Sequence, residues 1–198
     1  MDIREYLKPF TKKDNRIACL SYFGTFAVFF PTLWAAVWLV NAGLWWVSTP
    51  LVIIITFCLA RFYVLQHDTG HHSLFAKKSH NDWAGYGLSI FTYTPYRAMQ
   101  YNHNMHHAYL GNLDHRETTE IFTMTKREWD SASFGRRLWY RIYRNPAFLI
   151  PIGGVFTYFI AYRWPKNTPK IGIAGVLTHN AMMAAMAITA TPVQPSQK

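Results

Sequence analysis

Residues 17–60 contain no Asp, Glu, Lys or Arg. As one helix this run would be roughly 66 Å long, about twice the ~30 Å hydrocarbon core of a bilayer. Two antiparallel helices use that length, and Asn41-Ala42-Gly43 supplies a helix-stop signal near the middle. The pattern predicts membrane spans over 17–40 and 44–65. Pro31 and Pro50 fall within or at the start of these spans, where membrane helices tolerate proline.

The chain then turns polar. Residues 61–144 hold 11 of the 20 basic and 7 of the 10 acidic residues. Within them, 83–96 is uncharged and aromatic but too short to span, which predicts an interfacial or re-entrant segment. Two further uncharged or apolar runs follow, at 145–162 and 171–191, before a polar tail from Pro192. Pro151 and Gly153-Gly154 interrupt the first of these. The expectation is an all-α integral membrane protein with about four transmembrane helices. Its single domain would hold a hairpin at 17–65, a cytoplasmic histidine-rich region at 66–146 and a second hairpin at 147–191.

Composition strengthens this reading. Of the 198 residues, 51% are hydrophobic and only 15% charged, against about 25% charged in a typical soluble domain. That balance excludes a disordered chain and a disulfide-stapled mini-domain. Cys19 and Cys58 both lie in apolar runs with no close partner, as buried apolar residues do. The net charge of +10 could serve nucleic acid, anionic lipid or cytoplasmic loops. No nucleic-acid motif is present, and the basic residues flank apolar runs. The N-terminal segment lacks the features of a secretory signal, and the first apolar run is expected to be a retained anchor. Arg4, Lys8, Lys12, Lys13 and Arg16 precede that run, and ten more basic residues lie in 66–146. Both segments are therefore expected on the cytoplasmic face. Arg163, Lys166 and Lys170 run against that orientation and are outnumbered.

The candidate chemistry lies in the histidines. Of nine, seven stand between positions 67 and 107. His67-Asp68-Thr69-Gly70-His71-His72-Ser73 begins where the second span ends, and on a helix His67 and His71 share a face with His72 one step round. His103-Asn104-Met105-His106-His107 puts three imidazoles on one stripe. Imidazole suits iron, zinc, copper and nickel. Six such ligands (His67, His71, His72, His103, His106 and His107) exceed the need of one structural zinc and fit a dinuclear centre. Asp68 and Asn104 are placed to fix histidine tautomers. His80, His115 and His179 are not expected to be ligands.

These motifs resemble the histidine boxes of the membrane fatty acid desaturases, which are non-haem di-iron enzymes. The first cluster is similar to their HDxGHHS box and the second to their HxxHH box. Gly111-Asn112-Leu113-Asp114 and Tyr140-Arg141-Ile142-Tyr143-Arg144-Asn145-Pro146 are similar to the acyl-lipid omega-6/omega-3 (delta-12-like) branch. The resemblance runs from about Ser48 to Pro165. His115 stands where that branch usually has Arg, Glu117 stands where Gly is usual, and no third HxxHH box follows. The expectation is therefore a desaturase chain that is C-terminally incomplete.

The resemblance implies two iron ions held by the six histidines, with O2 as co-substrate and a membrane acyl lipid as substrate. Electrons would come from ferredoxin or cytochrome b5, and the double bond would be introduced at the face of a bacterial inner membrane, endoplasmic reticulum or plastid. Trp83, Tyr93 and Tyr96 are candidates for lining an acyl tunnel. A histidine-box hydroxylase or carotenoid ketolase, or a non-catalytic truncated relative, is the alternative.

Overall fold

The computed structural model describes residues 2–116, 121–156, 159, 160, 163 and 171–190. Glu117, Lys166, Lys170 and the tail from Pro192 lie outside the described residues, as does part of the third expected span. Among the described residues there are helices and turns but no strand. The chain forms two compact units, Met1–Thr92 and Tyr93–Lys198.

In the first unit, a short α1 (Ile3–Leu7) precedes α2 (Asn15–Asn41), α3 (Thr49–Gly70) and α4 (Lys78–Ser89). Asp14 caps α2, its carboxylate accepting from the Arg16 N–H at 2.7 Å, which satisfies one of the helix's orphan donors. Pro31 sits inside α2 without ending it. The helix stops where the sequence indicates: Ala42 N–H closes on Trp38 at 3.0 Å, and Gly43 takes φ +78°, open to glycine without a Cβ penalty.

The second apolar segment, Trp45–Gly70, opens on a turn rather than on an α-helix. Trp45–Ser48 winds into a tight 3-10 turn, and α3 begins at Thr49, with Pro50 in the first turn where its missing N–H costs nothing. α3 then runs past 65 to Gly70, carrying its last turns beyond the apolar run.

An aromatic core locks α2, α3 and the end of α4 together. Phe62 is fully buried, with ring centroids 4.6 Å from Phe26, 5.2 Å from Phe29 and 5.0 Å from Phe91. Leu65 and Leu88 complete the cluster. The Tyr22 hydroxyl reaches the Ala84 carbonyl at 3.4 Å, and α4 comes so close that a Cβ on Gly87 would stand 2.9 Å from that hydroxyl. The other faces of α2 and α3 stay apolar and uncovered, including Leu20, Phe23, Trp34, Ile53 and Phe57. Both helices are long and apolar enough to cross a membrane.

The second unit contains α5 (Tyr96–Tyr109), α6 (Lys126–Ser131), α7 (Phe134–Arg144), α8 (Pro146–Phe156) and α9 (Ile173–Ala190). α5 packs on α9. A capping box starts α6: Thr125 Oγ1 accepts from Glu128 N–H, and the Glu128 carboxylate accepts from Thr125 N–H at 2.7 Å. The same carboxylate takes both arms of Arg116, at 2.6 and 2.9 Å. The Arg116 guanidinium and the Thr125 amide together hold Glu128 down at about 2.

α7 is two-faced. Phe134, Leu138 and Ile142 recur at helical spacing and stay exposed, while Arg137 and Arg141 turn over the Trp129 ring. The Tyr143 and Tyr140 hydroxyls accept from Phe122 and Met124 N–H groups at 3.1 and 3.3 Å. α8 widens into a π-type turn over Leu149–Gly153, the stretch holding Pro151. α8 and α9 are shorter apolar helices than α2 and α3.

Candidate metal centre

The first histidine cluster closes α3. His67 stands in the last turn, and its ring lies 4.7 Å from that of His71 at an interplanar angle of 73°. This is the i, i+4 relation the sequence predicts. His67 Nδ1 lies 3.1 Å from the Asp68 carboxylate. A carboxylate accepts, so Nδ1 carries the proton and the lone pair sits on Nε2.

The helical reading does not extend to His72. α3 ends at Gly70, with His71 as its C-cap. His72 N–H turns back to the Thr69 carbonyl at 2.9 Å, and His72 takes φ +53°, in the left-handed region that side chains rarely enter. Its ring therefore leaves the helical face, and Nε2 meets the Asp82 carboxylate of α4 at 3.0 Å. By the same rule Nε2 holds the proton and Nδ1 the lone pair.

Several contacts fix this turn. Lys13 Nζ donates to the His72 carbonyl at 2.6 Å, and Ala76 N–H donates to Asn15 Oδ1 at 2.9 Å. Fully buried Asn81 accepts from Phe75 N–H at 2.9 Å and donates to the Phe75 and Lys77 carbonyls at 2.7 and 2.9 Å. Gln66, also fully buried, accepts from the Thr92 hydroxyl at 2.7 Å. Sequence reasoning missed Asp82 and Asn81. Their one signal is that two polar residues stand side by side in the first turns of the helix after the first histidine cluster.

The second cluster lies wholly on α5. His103 and His107 face each other with ring centroids 4.5 Å apart and Nε2 atoms 3.0 Å apart. His106 adds a third ring, 6.0 Å from His103 and 5.6 Å from His107. Asn104 is exposed. Two nitrogens each about 2.1 Å from one ion, at right angles, would stand about 3.0 Å apart. The His103–His107 pair therefore has the spacing of adjacent ligands on one metal ion, and these donors fit a nitrogen-preferring transition metal such as iron.

The other three histidines and the tunnel candidates stand outside the two boxes. His80 is exposed with its ring 6.4 Å from Phe75, His115 stacks on Tyr109 at 4.6 Å, and His179 is buried in α9. Trp83 is 77% exposed, Tyr93 is exposed with φ +57°, and Tyr96 is buried.

The sequence profile of the family described as "Fatty acid desaturase" matches residues 43–193. The chain belongs to the fatty acid desaturase family. It is 31% identical over 187 residues to a Bacillus subtilis protein named fatty acid desaturase, covering 93% of this chain and 53% of that one. It is 29% identical over 135 residues to an Arthrospira platensis sn-1 oleoyl-lipid 12-desaturase, covering 67% of this chain and 37% of that protein. Over 81 residues it is 30% identical to a Synechocystis protein named sn-1 acyl-lipid omega-3 desaturase (ferredoxin), covering 41% of this chain and 19% of that protein. The chain thus spans about half the length of the Bacillus relative and less of the others. No solved structure matches it.

Proposed function

We propose that this chain carries the first two histidine boxes of an acyl-lipid desaturase. In this reading His67, His71 and His72 act together with His103, His106 and His107 to hold two iron ions. The observation that carries it is the 3.0 Å approach of His103 and His107 Nε2 on α5, in a chain of the desaturase family. The reading also takes α2, α3 and two later apolar helices as four spans, with both boxes on the cytoplasmic face of the membrane.

Two bound irons would supply the oxidising power to remove two hydrogens from adjacent methylenes of an acyl lipid, and these hydrogens, with O2, two electrons and two protons, would leave as two molecules of water. The protein's share is positional. Asp68 keeps the proton on His67 Nδ1, so Nε2 presents its lone pair, and Asp82 does the same for His72 with the nitrogens exchanged. Imidazoles withstand an oxidising site in which thiolates would themselves be oxidised. The apolar helices keep an acyl chain beside the boxes. Ferredoxin or cytochrome b5 is the proposed electron source, and the ferredoxin in the name of the Synechocystis relative supports the first of these.

Metal analysis of the purified chain after anaerobic ferrous loading tests the ligand set. Two irons per chain are expected, and no iron retained would overturn the reading. Lipid profiling with the donor supplied tests the chemistry: acyl chains lighter by two hydrogens are expected, and unchanged unsaturation in iron-loaded protein would overturn the catalytic part.

A further inference from the structure

Away from the histidines, the first unit has an open groove of about 450 Å³ between α2 and α3. That volume lies in the range of small-molecule sites, ~300–1,000 Å³. Its walls are apolar: Leu20, Val28, Ile54 and Phe57. Gly24 forms part of the floor, and a Cβ built there would meet nothing within 4 Å.

The groove also holds a cation. Arg61 is exposed in α3, its guanidinium 3.5 Å from the Ser21 hydroxyl, which also lines the groove. Among the described residues no carboxylate pairs with Arg61. It lies six residues before His67, about 9 Å along the helix at ~1.5 Å per residue. The contacts of Lys13 with His72 and of Asn15 with Ala76 put the basic start of α2 beside this same end of α3. An arginine at that depth can send its head toward the headgroup layer while its stem stays among apolar side chains.

From this arrangement we infer that the groove is a phospholipid site, with one acyl chain lying between α2 and α3 and the anionic phosphodiester on Arg61. An apolar groove ending at Arg61 matches one tail and the negative headgroup of a phospholipid, whose second tail stays among its neighbours in the bilayer. A second copy of the chain would leave the guanidinium against its apolar helices without an anion. The inference rests on α2 and α3 crossing a bilayer. A chain recovered in the soluble fraction defeats that reading, whereas a membrane-embedded chain that fails the test below defeats only the groove.

The test is native mass spectrometry of the delipidated chain in detergent, incubated with dioleoyl phosphatidylglycerol. One lipid retained per chain is expected. Arg61→Gln should lower retention about fivefold, the weight of one basic contact with an anionic lipid. Arg61→Lys should keep most of it, and Gly24→Leu, which fills the groove but leaves the charge, should also lower it. Helicity by circular dichroism checks folding. If Arg61→Gln loses helicity, Gly24→Leu and Arg61→Lys decide by the same criteria. Undiminished retention in Arg61→Gln and Gly24→Leu would overturn the inference. So would equal retention of phosphate-free dioleoylglycerol, displacement of the phospholipid by equimolar oleate, or a wild-type dimer that Gly24→Leu separates.

Discussion

Asn81→Ala should loosen the turn that presents His72 while leaving the helical hairpin intact. The Asn81 amide is fully buried and closes three hydrogen bonds, two to the Phe75 backbone and one to the Lys77 carbonyl. Alanine removes all of them and strands the Phe75 N–H and C=O in a site that water does not reach. A buried backbone group left unmade costs about 1–3 kcal/mol, so two of them, partly relieved by relaxation, give about 3 kcal/mol. Phe75 packs with Ala18 and Ala84 in a cluster separate from the aromatic core of Phe26, Phe29, Phe62 and Phe91, so the loss should fall on local opening of residues 71–77 rather than on global unfolding. At 1.4 kcal/mol per tenfold, hydrogen exchange at the Phe75 amide should accelerate about 100-fold, with α3 amides before Gln66 unchanged. Asp82, the next residue, would then hold His72 less often, and iron affinity should fall in step. Phe75 exchange unchanged from wild type would refute the claim that Asn81 clamps the turn.

Asp82→Asn keeps the shape but loses the charge that fixes the His72 proton, and should weaken iron binding about 10–100-fold with circular dichroism unchanged, as read by competition with a chelator. Phe62→Ala empties the centre of the aromatic core and should cost about 3–5 kcal/mol, measured by denaturant unfolding in detergent. Glu128 titrates below its ordinary value, so its contacts with Arg116 and Thr125 stabilise the folded state fully above about 4.5 and are lost as pH falls toward about 2. Exchange at α6 amides should rise through that window, and Glu128→Gln should abolish the pH dependence.

Much of the first unit is legible in the sequence because an uncharged run long enough for two membrane crossings folds back on itself, and Gly43 marks the place. The start of α3 is less legible, since nothing in hydropathy separates a 3-10 turn at Trp45–Ser48 from the first turn of a helix. The His67–His71 and His103–His107 pairs follow from helical spacing alone. His72 does not, because its orientation depends on a left-handed backbone and on Asp82, ten residues away. Non-local polar contacts of that kind leave no periodic trace. α6 and α7 carry readable signals too: Thr125 with Glu128 is a capping-box signature, and Phe134, Leu138 and Ile142 repeat every fourth residue with arginines flanking the stripe.

X-ray absorption spectroscopy of the iron-loaded chain tests the central claim most directly. A first shell of nitrogen and oxygen at about 2.1 Å with imidazole multiple scattering, an iron–iron vector, and loss of part of the imidazole signal in His103→Ala and His107→Ala are expected. A spectrum without imidazole scattering, or one unchanged by both substitutions, would contradict it.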